Sequence, residues 1–200
     1  MIKNFKGYIY VIIGFVTIGI IVFALLKGGY SAEELRPYTI SIDGIKLIPG
    51  QTKVQTLLDY GFQLGTSEQN TDKISSVFYP LEPTFQIKSN TRTNGFELWK
   101  EADKFAILEI SNLEKTNISL SDGLVTVVEL EKENLSNPKI LLNNKPVSDL
   151  NAGNLSVLYS NLKTREQGTG YEIKNKSYKL EFYVMLGDIW SITSSYNPNR

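Results

Sequence analysis

An uncharged apolar run near the N-terminus constrains this chain more than any other feature of its sequence. It covers residues 8–26, from Tyr8 to Leu26, and contains no charged side chain. A hydrocarbon core of about 30 Å requires about 20 residues of α-helix, so the run is long enough to span a membrane. Lys3 and Lys6 precede it and Lys27 follows it, and the positive-inside rule then places the N-terminus in the cytoplasm.

Two other interpretations of this run are a cleaved signal peptide and a buried helix of a soluble domain. A signal peptide has an apolar region of about 7–15 residues and a cleavage site with small residues. The best small-residue match, Val22 to Ala24, lies inside the run. We therefore expect an uncleaved signal anchor, with residues 1–7 as a cytoplasmic tail and 27–37 as a spacer. The rest of a single-pass protein in the cell membrane would then be extracellular.

Composition excludes several classes of function for the residues that follow. The chain beyond residue 30 holds all 21 acidic residues but only 18 of the 21 basic ones, a net charge of −3. A nucleic-acid partner would require a clustered basic face, so we expect none. The chain has no cysteine and no histidine, which excludes thiol nucleophiles, serine–histidine triads and His/Cys zinc sites. We expect no metal and no cofactor, and an origin in a Gram-positive bacterium.

A β-hairpin and a helix are predicted at the start of this region. Apolar residues alternate in 38–42 and 45–47 on either side of Asp43-Gly44, which is typical of a hairpin turn. Residues 52–60 have helical spacing, and Thr52 with Gln55 forms the T-x-x-Q pattern of a capping box. Gly61 follows as the predicted C-terminal cap.

The second half of the chain repeats this order of elements. Residues 139–142 predict a short strand, Asn143-Asn144 a turn, and a helix is expected from about Asn154. Strands are expected at 171–173, 177–185 and 189–194, as they are at 74–79, 84–88, 96–99, 104–111 and 125–130 in the first half. We therefore divide the chain into two α+β repeats, residues 38–134 and 135–200.

Two stretches resemble a known family of repeats. Residues 45–62 and 171–194 resemble the tandem α/β repeats of the beta-lactamase inhibitor protein and of small outer-membrane assembly lipoproteins. The first resembles their Pro-Gly, Thr-capped helix and Gly-Phe opening, and the second their closing strands. The resemblance implies an α+β fold in which an N-terminal transmembrane helix precedes two helix-on-antiparallel-sheet repeats. It also implies that the free face of the sheet binds a protein.

Carboxylates are the remaining candidates for catalysis. Three aspartates each adjoin a glycine, and three glutamates alternate along the end of a strand: Asp43, Asp122, Asp188, Glu129, Glu131 and Glu133. Asp-Gly pairs are typical of turns, where the aspartate bonds its own backbone. The glutamates have no evident base beside them, so we interpret them as a solvated face.

Aromatic residues favour a binding function. Tyr183 alternates with Lys179 and Glu181, opposite an apolar stripe, so it should point away from the core. We predict partner-binding residues Tyr183, Met185, Trp190 and Trp99, because Trp and Tyr dominate interfaces. The expected function is a membrane-anchored, extracytoplasmic, non-enzymatic module that binds a protein. The alternatives are a carboxylate-dependent hydrolase of cell-surface glycan and a structural subunit of a membrane complex. The oligomeric state stays open.

Overall fold

The computed structural model describes residues 38–69, 76–165 and 169–198. Residues Pro37–Arg200 form one compact unit. The predicted cytoplasmic tail, signal anchor (8–26) and spacer (27–37) lie outside the described residues.

Most of the described chain is antiparallel β-sheet. The strands are β1 (Ile40–Ile42), β2 (Ile45–Leu47), β3 (Gln63–Gln69), β4 (Ser76–Pro80), β5 (Gln86–Ile87), β6 (Thr91–Lys100), β7 (Asp103–Asn112), β8 (Ile118–Ser119), β9 (Leu124–Glu131), β10 (Ile140–Leu142), β11 (Lys145–Pro146), β12 (Lys163–Thr164), β13 (Gly170–Asn175), β14 (Tyr178–Met185) and β15 (Asp188–Tyr196). The two described α-helices, α1 (Val54–Asp59) and α2 (Leu155–Leu158), are short, and three 3₁₀ turns (Leu120–Asp122, Lys132–Asn134 and Val147–Asp149) complete the described elements.

Three sheets are formed by these strands. The large sheet has nine strands in the order β12-β13-β14-β15-β9-β7-β6-β3-β4. A four-stranded sheet has the order β11-β10-β1-β2, and β5 pairs with β8. Apolar residues of the four-stranded sheet, of both helices and of one side of the nine-stranded sheet belong to a single buried cluster. The core therefore lies on one side of the large sheet, which we call its inner face.

Side-chain alternation explains why the nine-stranded sheet has two unlike faces. In β14, Leu180 and Phe182 are fully buried, whereas Lys179, Glu181 and Tyr183 are only partly buried. Successive side chains of a strand point to opposite faces, so the apolar stripe packs into the core. The prediction that Tyr183 lies on the face away from this stripe is confirmed.

Both halves of the chain follow the same order of elements. In each half, a hairpin (β1–β2 or β10–β11) is followed by a short helix and then by strands of the large sheet. These strands are β3, β4, β6, β7 and β9 in the first half, and β12, β13, β14 and β15 in the second. β1 pairs with β10, and β9 pairs with β15. Strands from both sides of the predicted boundary at residue 134 thus share two sheets.

The predicted fold class is wrong. Strands make up 52% of the structure and helices 13%, so the fold is sheet-rich and not α+β with a transmembrane helix. The helices occupy only six and four residues, because the helical spacing in each half lasts for less than two turns before strand alternation resumes. No described helix is long and apolar enough to cross a membrane. This finding contradicts the predicted signal anchor and single-pass location in the cell membrane.

Local predictions around α1 were right in part. The hairpin at Asp43-Gly44 is confirmed, with both residues at positive φ. Gly61 has φ of +81° and ends the helix as predicted. The capping box is wrong, because the hydroxyl of Thr52 accepts a hydrogen bond from the Ile48 N–H (2.8 Å) and caps no helical N–H.

Gly65 lies where the backbone of β3 comes close to β4. A Cβ atom at this position would collide with the carbonyl oxygen of Tyr79 and with the ring of Phe78. We expect Gly65→Ala to lower the free energy of unfolding by about 1–3 kcal/mol, the range for overpacked sites. Urea unfolding of the full chain would measure the loss.

The control for this prediction is Gly153→Ala. A Cβ atom there would meet only the side-chain oxygen of Asn151, at 3.3 Å. Its effect should stay within about 0.5 kcal/mol, as for most surface substitutions. Equal losses in the two variants would contradict the assignment of the effect to the β3–β4 contact.

Candidate functional site

The face of the nine-stranded sheet opposite the core is the candidate site, and we call it the outer face. Both helices bury their apolar residues, Val54, Leu57 and Leu155, in the core on the other side. Strand alternation and register place on the outer face Gly65, Ser67, Phe78, Glu97, Trp99, Lys104, Ile107, Glu109, Val127, Glu129, Glu131, Glu172, Lys174, Lys179, Glu181, Tyr183, Ser191 and Thr193. The outer face is therefore rich in charge.

One group of charges on the outer face is centred on Lys104. Its ammonium nitrogen lies 2.6 Å from Glu131 Oε2, 3.2 Å from Glu133 Oε1 and 3.4 Å from Glu97 Oε1. Burial alone would lower the pKa of Lys104, but hydrogen bonds and charges from these glutamates raise it well above its usual range. Glu97 also accepts a hydrogen bond from Trp99 Nε1 at 2.9 Å. Three glutamates thus share one ammonium group, so this group keeps a net negative charge, and the hydrogen bond to Glu97 orients the Trp99 ring.

A second group of charges covers β13 and β14. Lys179 lies 2.8 Å from Glu181 and 3.5 Å from Glu172, Lys174 lies 2.7 Å from Glu172, and Arg165 lies 3.3 Å from Glu181. The hydrogen bond from Lys174 is the main reason why the pKa of Glu172 is lowered. Both carboxylates of this group thus have cationic partners.

Glu129 lies between the two groups and differs from them. It pairs with Thr193 of β15 on one side and with Ile107 of β7 on the other. No hydrogen bond or ion pair joins its half-buried side chain to any other residue in the described ranges. Burial raises its pKa, the charges of Glu131 and Glu181 raise it further, and Lys104 only partly offsets them. The centre of the outer face therefore holds a carboxylate that pairs with no other described residue.

The structure brings Tyr183 and Trp99 to the same end of the outer face. Across neighbouring strands, Tyr183 pairs with Ser191, and Ser191 pairs with Glu131. Glu131 forms an ion pair with Lys104, which pairs with Trp99 across β7 and β6. Four inter-strand spacings separate β14 from β6, which corresponds to about 19 Å. The two predicted aromatic contacts thus lie at either end of a row that contains Glu131 and Lys104, and Glu129 lies in the next row along the strands.

Trp190 and Met185 lie beside this row, close to the hairpin that joins β14 to β15. Trp190 is 36% exposed, and the Lys132 ammonium lies 4.4 Å from the centre of its ring. The turn is formed by Leu186-Gly187 and not by the predicted Gly187-Asp188, and Leu186 has φ of +55°. Leu186 is 97% exposed, which is unusual for a large apolar residue in a left-handed conformation. Sequence reasoning missed it, although a leucine in a two-residue hairpin turn was a visible signal.

The other carboxylate candidates lie in different places. Asp43 is in the β1–β2 turn, 2.7 Å from Lys100, whose hydrogen bond lowers the pKa of Asp43. Asp122 ends a 3₁₀ turn, and Asp188 is an exposed residue 3.6 Å from Lys132. The described residues contain no group of three or more acidic side chains that could hold a metal ion. A shallow depression of about 340 Å³ near Arg92 and Asn112 has no carboxylate in its lining.

Glu129 was interpreted from the sequence as part of a solvated face together with Glu131 and Glu133. The structure pairs the latter two with Lys104 and leaves Glu129 half-buried. Its position between the apolar residues Val128 and Leu130 in β9 indicated an outward strand position. Nothing in the sequence indicated which of these glutamates would form an ion pair with a lysine.

Comparison with protein-family models, with curated proteins and with solved structures gave no match.

Glu129 should make stability depend on pH in an unusual direction. A carboxyl group with a higher pKa in the folded chain than in the unfolded chain costs stability once the pH ionises it. We expect Glu129→Gln to raise the melting temperature at pH 7, and the difference should vanish near pH 3, where ordinary carboxyls with a pKa of about 4.3 are protonated. Thermal unfolding followed by circular dichroism would show this.

Glu131→Gln is the matched control for this measurement. It removes the carboxylate that lies 2.6 Å from Lys104, so its melting temperature at pH 7 should not rise. A lower melting temperature for Glu129→Gln at pH 7 would show that the fold stabilises the ionised carboxylate, against the expectation.

Proposed function

We propose that this chain is a non-enzymatic module that binds a protein through the outer face of its nine-stranded sheet. Glu129 is the observation that carries the proposal. A half-buried carboxylate without a described partner costs free energy in the isolated chain. Such a cost is typical of functional positions, where a bound group removes it.

Charge complementarity indicates what the partner presents. The glutamates on both sides of Glu129 have cationic partners, whereas Glu129 forms no ion pair with a described residue. Three glutamates share the one ammonium of Lys104, so the centre of the outer face is acidic. A lysine or arginine side chain of the partner would supply the missing cation and form a charge-assisted hydrogen bond. Tyr183 and Trp99 would contact the partner on either side of this ion pair.

The size of the outer face is compatible with this use. The five strands from β14 to β6 are about 19 Å wide and about 26 Å long, which gives roughly 500 Å². A standard protein interface takes about 800 Å² from each partner. A partner would therefore extend beyond the strands, and Trp190 and Leu186 lie next to the end of the face that holds Tyr183.

Photocrosslinking in the native cell would test the proposal. A photoreactive phenylalanine analogue replaces Tyr183 in the full chain, and Glu129→Lys is introduced as a second change. The Tyr183 position should crosslink to a discrete protein, and Glu129→Lys should reduce that product at least about tenfold, because opposed like charges cost several kcal/mol.

Val157 is the control position for this experiment. It is 84% exposed on α2, away from the outer face. The same product from position 157, or a product from position 183 that Glu129→Lys leaves unchanged, would overturn the proposal. Glu129→Gln should lose the product while keeping its higher melting temperature, which separates lost binding from lost folding.

A carboxylate-dependent glycan hydrolase is the second candidate, and the raised pKa of Glu129 favours it. A pair of carboxylates supplies the acid and the base of such enzymes. Glu181 lies two strands away from Glu129 across Thr193, at about 10 Å by strand spacing. Turnover of nitrophenyl glycosides by the full chain that disappears in Glu129→Gln would support the enzyme. Crosslinking without turnover would favour the binding module.

A further inference from the structure

The two edges of the nine-stranded sheet differ in how well they are protected against pairing. At one edge, β12 has only two residues, both exposed, and one of them is Lys163. At the other edge, β4 has five residues, Ser-Val-Phe-Tyr-Pro, and none of them is charged. Short length and lysine are common means of blocking edge strands, whereas β4 has only Pro80. Its composition favours addition of another strand.

The register of β3 with β4 shows which backbone groups are free. The Leu81 N–H donates to the Leu64 carbonyl at 2.8 Å, so the backbone groups of these two opposed residues point towards each other. The direction of the backbone N–H and C=O groups alternates along an antiparallel strand, so residues 77 and 79 of β4 also form hydrogen bonds with β3. The intervening residues 76, 78 and 80 direct their backbone groups away from β3, towards an edge with which no described strand pairs.

Exposed apolar side chains accompany this free edge. Val77 is 45% exposed and Tyr79 is 48% exposed, on the same side of β4. Phe78 lies on the opposite side, where its ring centre is 5.0 Å from that of Trp99. The edge therefore offers both hydrogen-bonding groups and an apolar surface.

We propose that β4 pairs antiparallel with β4 of a second copy of this chain, about a two-fold axis at Phe78. In this register Phe78 forms two backbone hydrogen bonds with the partner's Phe78. The Ser76 N–H donates to the carbonyl of the partner's Pro80. By symmetry, the N–H of the partner's Ser76 donates to the Pro80 carbonyl. Val77 lies opposite the partner's Tyr79, and the two large sheets become continuous.

Self-pairing suits this strand better than an arbitrary partner does. An isologous contact opposes each residue to a residue of the same strand, and no charge in β4 meets a like charge. Pro80, which lacks an N–H, lies opposite Ser76, so it removes only the outermost bond on each side. A contact of five residues buries less than the roughly 1,000 Å² of a stable interface, so the dimer is weak.

Disulfide capture tests the register, because the natural chain has no cysteine. Opposed residues of a non-hydrogen-bonded pair lie about 4.5 Å apart at Cα, and diagonal ones about 7–8 Å apart. A disulfide requires about 4.4–6.8 Å. A mixture of full-length Val77→Cys and Tyr79→Cys should therefore crosslink at least about tenfold faster than either variant alone. Equal rates in the mixture and in the single variants would overturn the proposal.

Sedimentation of the full chain tests the association itself. The weight-average mass should rise with concentration up to several hundred micromolar, a range that suits a weak interface. Tyr79→Lys should abolish this rise, because it places a charge in the apolar pair, and Val157→Lys should preserve it. Circular dichroism would confirm that both variants fold. A wild-type chain that stays monomeric, or an association that survives Tyr79→Lys, would overturn the proposal.

Discussion

The pairing of β9 with β15 is the interaction on which the rest of the structure depends. The first half of the chain supplies five strands of the large sheet and the second half supplies four, and the last strands of the two halves meet at Leu130–Ile192 and Val128–Ser194. All four of these residues are buried, so neither half could shield its inner face alone. A sheet half with an exposed apolar face and a free central edge would be prone to aggregation.

The same pairing creates the candidate site on the other side of the sheet. Because strand alternation is strict, burying Leu130 and Val128 directs Glu129 and Glu131 outwards. β7 then supplies Lys104 to Glu131, and β14 supplies Glu181, which Lys179 and Arg165 already neutralise. The register of strands from both halves thus leaves Glu129 between two groups of paired side chains, without an ion pair to any described residue.

Much of the local structure could be predicted from the sequence. The Asp43-Gly44 hairpin, the end of the first helix at Gly61 and the outward direction of Tyr183 follow from turn chemistry and alternation, which involve only neighbouring residues. The capping role of Thr52 could not be predicted, because a competing backbone donor, the Ile48 N–H, takes its hydroxyl. The helical content was overestimated, because short amphipathic stretches have helical spacing for a turn or two whichever structure surrounds them.

The sequence by itself determined the alternating strand patterns of both halves, the absence of cysteine and histidine chemistry, and the side of β14 on which Tyr183 lies. Only the tertiary structure decided that strands of both halves form one sheet, that Trp99 and Tyr183 share a row, and that Glu129 forms no ion pair with a described residue. The physical reason is the separation in sequence between the residues that interact. Turns and alternation are set by contacts a few residues apart, whereas an ion pair such as that between Lys104 and Glu131 depends on register across strands that are distant in sequence.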